Sequence, residues 1–204
     1  MNLSLIFKAA LEDIADGKVH LEREHVFYGK IVDFEQLKKA TSEQAQEQWE
    51  IKLPKSDKNF GSGGIRVRAC GPKEQNEYIL TCKVRTTEAN AKLESSVVTT
   101  KDMFDLFKTL AHSGMRKVRH NFPVTVDETE LIFEVDVFVL DDGTYSPWCK
   151  IDLEVPDSVT KIPPLPIELA HMVKEGPENT DAERAIVRGL YDNVFLTTCR
   201  TLNS

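Results

Sequence analysis

The chain has 204 residues, 29% of them charged and 41% hydrophobic, with a formal net charge of −7. That composition suits a globular protein with one sizeable core. The negative balance excludes a general nucleic-acid binder, which needs nonspecific phosphate attraction, yet it leaves room for a local basic site. Cys70, Cys82, Cys149 and Cys199 form no CxxC pair, so they read as free thiols of a reducing compartment rather than a zinc site or a disulfide framework. Glu12, Asp13 and Asp16 interrupt the start of the chain, and no apolar run there is long enough for a signal peptide or membrane span. The expected location is the cytoplasm, with no membrane partner.

In chain order, Leu3, Phe7, Ala10, Leu11 and Ile14 recur at helical spacing before Gly17. A strand is expected around 19–28, a polar helix over 34–46, and a second strand at WEIKLP. Residues 56–64, SDKNFGSGG, have the composition of a flexible turn. GIRVRA and YILTCKVRT flank Gly71 and Pro72 as a hairpin, and 93–99 is a further short strand. Met103, Phe104, Phe107, Leu110 and Ala111 mark an amphipathic helix. MRKVRHNFPV, LIFEVDVFVL and WCKIDLEV are strands, the last two joined by the turn Asp141, Asp142, Gly143. Pro163, Pro164 and Pro166 then break the pattern, and Thr180 with Glu183 forms the capping box of a final helix. The whole reads as a single α+β domain over 1–204.

Six strands carry same-sign charges two residues apart: Glu22 and Glu24, Arg66 and Arg68, Lys83 and Arg85, Lys117 and Arg119, Glu134 and Asp136, Asp152 and Glu154. Residues i and i+2 share one face of a strand, so each pair is a charged rung. The opposite face is apolar in most of these strands, as in Phe133, Val135, Val137 and Val139. An ordinary solvated face would mix polar types, and any one rung alone fits that description. Six together point elsewhere. Like charges repel unless a ligand compensates them, and a polyphosphate with Mg²⁺ or Mn²⁺ would satisfy basic and acidic rungs at once. Closing about eight antiparallel strands into a barrel would bring the rungs into one lumen, with helices covering the apolar outside.

The order of rungs resembles the CYTH, or triphosphate tunnel metalloenzyme, superfamily. HLEREHVF is similar to its opening ExExK strand, and QWEIKLPKSDKNFGSGGIRVRA and YILTCKVR to its next three strands. MRKVR, FEVDVF and KIDLEV are similar to its KxR, acidic and ExE strands. The resemblance covers about 19–156 and implies a closed eight-stranded antiparallel β-barrel, a tunnel, with helical N- and C-terminal additions. It implies a metal-dependent triphosphatase that removes the terminal phosphate of an organic or inorganic triphosphate. Glu22, Glu24 and Glu154 would hold the catalytic Mg²⁺ or Mn²⁺, helped by Glu134, Asp136 and Asp152. Arg66, Arg68, Lys83, Arg85, Lys117 and Arg119 would grip the phosphates.

Val26 stands where the family has lysine, and Lys52 on the neighbouring strand is the candidate to supply that charge. Ser96 follows Glu94 where members often show a second acid. Both departures favour the alternative of a non-catalytic binder that sequesters a nucleotide or other phosphorylated ligand. A third reading is a charged sheet surface that recruits a protein. Expected partners are a triphosphate-bearing small molecule or nucleotide, with an RNA 5′-triphosphate end included. The five histidines lack metal-ligand spacing, and Gly61, Gly63 and Gly64 lack the residues of a phosphate loop.

Overall fold

The computed structural model describes residues 20–22, 24–53, 60–72, 75–86, 92–156, 159 and 161–194. The helix expected over 3–14 lies outside them. Among these residues ten strands follow one another: β1 His20–Glu22, β2 Glu24–Ile31, β3 Ser42–Leu53, β4 Phe60–Cys70, β5 Glu77–Thr86, β6 Lys92–Thr99, β7 Ser113–Val126, β8 Thr129–Val139, β9 Tyr145–Glu154 and β10 Leu169–Lys174. Among the described residues two α-helices accompany them, α1 Lys101–Leu110 and α2 Asp181–Val194. All ladders are antiparallel, in the order β1-β6-β5-β4-β3-β7-β8-β9-β2-β10.

Chain connectivity closes this sheet. β1 and β2 are separated by one residue, so the Cα atoms of Glu22 and Glu24 lie at most ~7.6 Å apart. Yet eight ladder steps separate the two strands in the sheet order, roughly 38 Å if it were flat. Both hold only if the sheet curls round to meet itself. β1 and β2 serve as one plank, β1 paired with β6 and β2 with β9. Counting that plank once and setting β10 aside leaves eight strands in the circuit, the barrel expected from the rungs. β10 adds to the free edge of β2.

Register then assigns the faces, because residues paired across a ladder point the same way. Trp49, Ile65, Val67, Ala69 and Leu80 share one face and pack against Phe104 and Phe107 of α1. Phe133, Val135, Val137, Ile151 and Leu153 share that face on the other side, under Leu37 and Ile167. An eight-stranded barrel has room inside for side chains or one small ligand, but not for a helix. The apolar face is therefore the outside, and the charged face lines the lumen. Thr100 caps α1 by accepting from the Met103 N–H at 3.3 Å. Gly114 on β7 is fixed by close approach: a Cβ there would lie 2.4 Å from the Trp49 ring.

α2 begins at the expected capping box: the Thr180 N–H donates to Glu183 at 2.7 Å, and the Glu183 N–H to the Thr180 hydroxyl at 3.2 Å. Its buried side chains, Leu190 and Val194, pack against Val26, Tyr28, Met115 and Phe138. Those four lie in register with the charged lumen residues, so α2 closes the apolar end of the lumen. Among the described residues no helix is long and apolar enough to cross a membrane.

Two expectations need correction, and one element is new. The polar helix over 34–46 is a short 3₁₀ turn, Phe34–Lys39, capped by Asp33, and β3 starts at Ser42. Pairing of β3 with both β4 and β7 outweighs the local helix tendency, which has little apolar face beyond Phe34 and Leu37. Residues 60–64 of the expected turn belong to β4, where Gly64 lies opposite Lys52. β10 was not foreseen: it forms past the proline break by docking on β2, with a register shift and His171 at φ 53°.

Candidate functional site: the charged lumen

Every described rung side chain falls on the lumen face. β4 presents Arg66 and Arg68, β5 Lys83, and β6 Glu94. β7 presents Lys117 and Arg119, β8 Glu134 and Asp136, β9 Asp152 and Glu154, and β2 Glu24. Lys117, Asp136 and Asp152 are buried, which removes the reading of a solvated docking sheet for these residues. The side chains of Glu22 and Arg85 lie outside the described residues; the backbone sets Glu22 opposite Lys92.

Strand order brings basic and acidic rungs together. Asp136 is 1% exposed and accepts from Lys117 and from both Nε and Nη2 of Arg119, at 2.8 and 2.9 Å. Arg119 also pairs with Glu134. Burial alone would raise the Asp136 carboxyl, but Lys117 and Arg119 outweigh it and hold it well below the usual carboxylate range. Burial takes the Lys117 ammonium down to about 8, against the pull of Asp136 and with help from Arg119. Across the lumen, Glu94 pairs with Lys83 and lies 3.4 Å from Arg66. The Thr81 and Ser96 hydroxyls meet at 2.9 Å, so the position where the family often has an acid completes a neutral hydrogen bond.

Arg68 differs. It makes no ion pair among the described residues, and its Nε is buried without a hydrogen-bond partner, as is that of Arg66. Burial, with Arg66 and Arg119 as like-charged neighbours, pulls its guanidinium below the ordinary pKa. Opposite it on β3, Gln48 is buried with an unpartnered Oε1, and so is Gln46 two residues away. A desolvated cation among cations has one obvious complement, an anion.

The acidic end is organised by a residue the rung analysis passed over. Lys150 Nζ lies 2.6 Å from Asp152 and 3.8 Å from Glu24. Burial raises the Asp152 carboxyl; Lys150 opposes the rise, Glu24 and Asp136 add to it, and it settles at about 6. Lys150 is itself partly buried, which would lower its pKa, yet Asp152 and Glu24 hold its proton on and raise it. The signal was present as the alternation Lys150, Asp152, Glu154, which shares one face of β9. Lys52, expected to stand in for the family's lysine, is in register with the lumen face but exposed. Val26 faces the lumen opposite Asp152 and is apolar because α2 packs on it. Among the described residues no three His, Cys, Asp or Glu side chains are grouped to hold a metal ion. Glu154 lies opposite Glu24 in register and is exposed.

Fold and site define an antiparallel barrel whose lumen is charged and ion-paired, with one apolar end closed by a helix. No family model and no curated protein matches the chain. Among solved structures it is similar to the PH1819 protein of Pyrococcus horikoshii, at 16% identity and a TM-score of 0.43, over 85% of this chain and 93% of that one. It is also similar to a Hippeastrum protein described as a candidate adenylyl cyclase with a dominant triphosphatase activity (10%, 0.38, over 88% and 92%). A candidate adenylate cyclase of Bacillus halodurans gives 11% and 0.40, over 90% and 96%.

Proposed function

We propose that the barrel binds a polyphosphate anion in its lumen, as inorganic tripolyphosphate or as the triphosphate of a nucleotide or other small molecule. Arg68 is the observation that carries this reading: a half-buried guanidinium with no carboxylate partner among the described residues and two arginines beside it. Arg66, Lys83, Lys117 and Arg119 share its lumen, with Arg85 next along β5, so the grip would be charge-assisted hydrogen bonds to phosphate oxygens.

The sequence resemblance extends this to hydrolysis of the terminal phosphate with Mg²⁺ or Mn²⁺. A divalent ion would supply charge neutralisation and an activated water. Four of the five described carboxylates expected to hold such an ion do not fit it as they stand. Asp136 and Glu134 are held by Lys117 and Arg119, and Asp152 and Glu24 by Lys150. That arrangement favours retention of the ligand over its cleavage.

Calorimetric titration with tripolyphosphate tests the binding. Arg68→Ala is expected to weaken it by about tenfold to a hundredfold, the weight of one or two charged hydrogen bonds. Urea stability should be undiminished, because a desolvated cation has been removed. Unchanged affinity in that variant would sink the reading. A phosphate-release assay on ATP, GTP, tripolyphosphate and 5′-triphosphorylated RNA with Mg²⁺ and Mn²⁺ separates a triphosphatase from a binder: release above the blank makes the barrel an enzyme.

A further inference from the structure

The acidic end of the lumen is built around an internal cation. Lys150 lies on β9 with Asp136 in register on β8 and Tyr28 in register on β2. Its ammonium is 2.6 Å from the Asp152 carboxylate and 3.8 Å from that of Glu24. Three elements hold it there. Asp152 is two residues along the same strand, Glu24 comes from the adjoining strand, and Tyr28 and Tyr191 share a hydroxyl contact of 3.1 Å beside it. The Tyr28 hydroxyl is in turn 3.2 Å from Glu175, so this end of the lumen is tied to the segment between β10 and α2.

We propose that the Lys150 ammonium does the work of a divalent ion at this end of the lumen, so that the barrel holds polyphosphate without added metal. Hard cations are held by several carboxylate oxygens at once. A dication brought to Glu24 and Asp152 would have to expel Lys150 or stand within a few ångströms of it, against like-charge repulsion. The second acidic rung offers no substitute, since both of its members are committed to Arg119 and Lys117. A lysine on a strand keeps its charge in the lumen at any metal concentration, whereas an ion would come and go with supply.

The inference rests on polyphosphate binding, and its test separates the two. Wild-type protein is titrated calorimetrically with tripolyphosphate in EDTA and again with Mg²⁺. Mn²⁺ binding to the protein alone is followed by loss of the free-ion electron paramagnetic resonance signal. The expected result is a dissociation constant that changes less than about threefold between EDTA and Mg²⁺, with no Mn²⁺ uptake below millimolar concentration. Lys150→Gln removes the cation that lies near both Glu24 and Asp152 and should take up Mn²⁺ at least about tenfold more tightly. Wild-type binding that appears only with Mg²⁺ overturns the proposal and leaves the polyphosphate reading standing. Absence of binding under both conditions overturns both. The wild-type titrations decide the matter even if Lys150→Gln fails to fold.

Discussion

Asp136→Asn isolates the electrostatic core of the lumen. Asparagine keeps the volume and removes the charge that Lys117 and Arg119 share. Arg119 retains Glu134, while Lys117, 5% exposed, loses its carboxylate partner among the described residues. Breaking a buried pair from one side costs about 3–5 kcal/mol. An upper bound comes from letting Lys117 go neutral. Relative to its ordinary pKa of 10.5, deprotonation at pH 7 costs roughly 5 kcal/mol, at about 1.36 kcal/mol per unit. The penalty also acquires a pH dependence. Below pH 8 the wild-type lysine is protonated folded and unfolded, but the variant's neutral lysine binds its proton only on unfolding. The unfolded state of the variant thus holds more protons, and its stability rises with pH. Wild-type Lys117 itself starts to lose its proton as pH nears 8, so the deficit should shrink by roughly 1 kcal/mol from pH 7 to 8. Urea unfolding at several pH values, with the slope m unchanged, measures it. A loss below about 1 kcal/mol, or one flat across that window, would refute the buried-triad account.

Leu190→Ala removes a side chain 2% exposed from the contact between α2 and the lumen end. It should cost about 2–5 kcal/mol and raise amide exchange in α2 ahead of β7 and β8; exchange unchanged in α2 would mean the helix is not held there. Glu47 on the outer face accepts from Lys108 of α1 at 2.5 Å and from the Trp49 indole at 2.7 Å. Burial would raise its pKa, but those bonds outweigh burial and bring it below 4.5. Its contribution is thus complete above pH 4.5 and lost as pH falls through the folded value. Glu47→Gln should lower urea stability by about 0.5–1 kcal/mol at pH 7, a gap that narrows below pH 4.5.

Much of the barrel was legible because strands write their faces with period two. Phe133, Val135 and Val137 against Glu134 and Asp136 is an outside and an inside spelled in alternate letters. The start of β3 was not legible, since Gln44, Gln46 and Gln48 face the lumen while Glu43, Ala45 and Glu47 carry little apolar signal outward. Same-sign rungs suggested that a ligand must neutralise each of them. The ladder β7 to β8 instead neutralises Lys117 and Arg119 with acids from the neighbouring strand, a pairing that depends on strand order. Lys150 was passed over because its sign broke the acidic rung it belongs to. Val26 looked like a lost lysine; it marks where a helix from the far end of the chain seats itself.

The plank formed by β1 and β2 has a consequence for how the molecule is assembled. Five of the ladders join consecutive strands, so their contacts are local and quick to form. The seam is different: Glu24 meets Glu154 across about 130 residues of chain, and His20 meets Glu94. Loop closure over such spans makes this seam the slow step. Until it forms, β6 and β9 are two bare edges on an open sheet, each able to recruit a strand from another molecule. Refolding yield should therefore fall with protein concentration, and a plank that precedes both of its partner strands in the chain is the last to find its place.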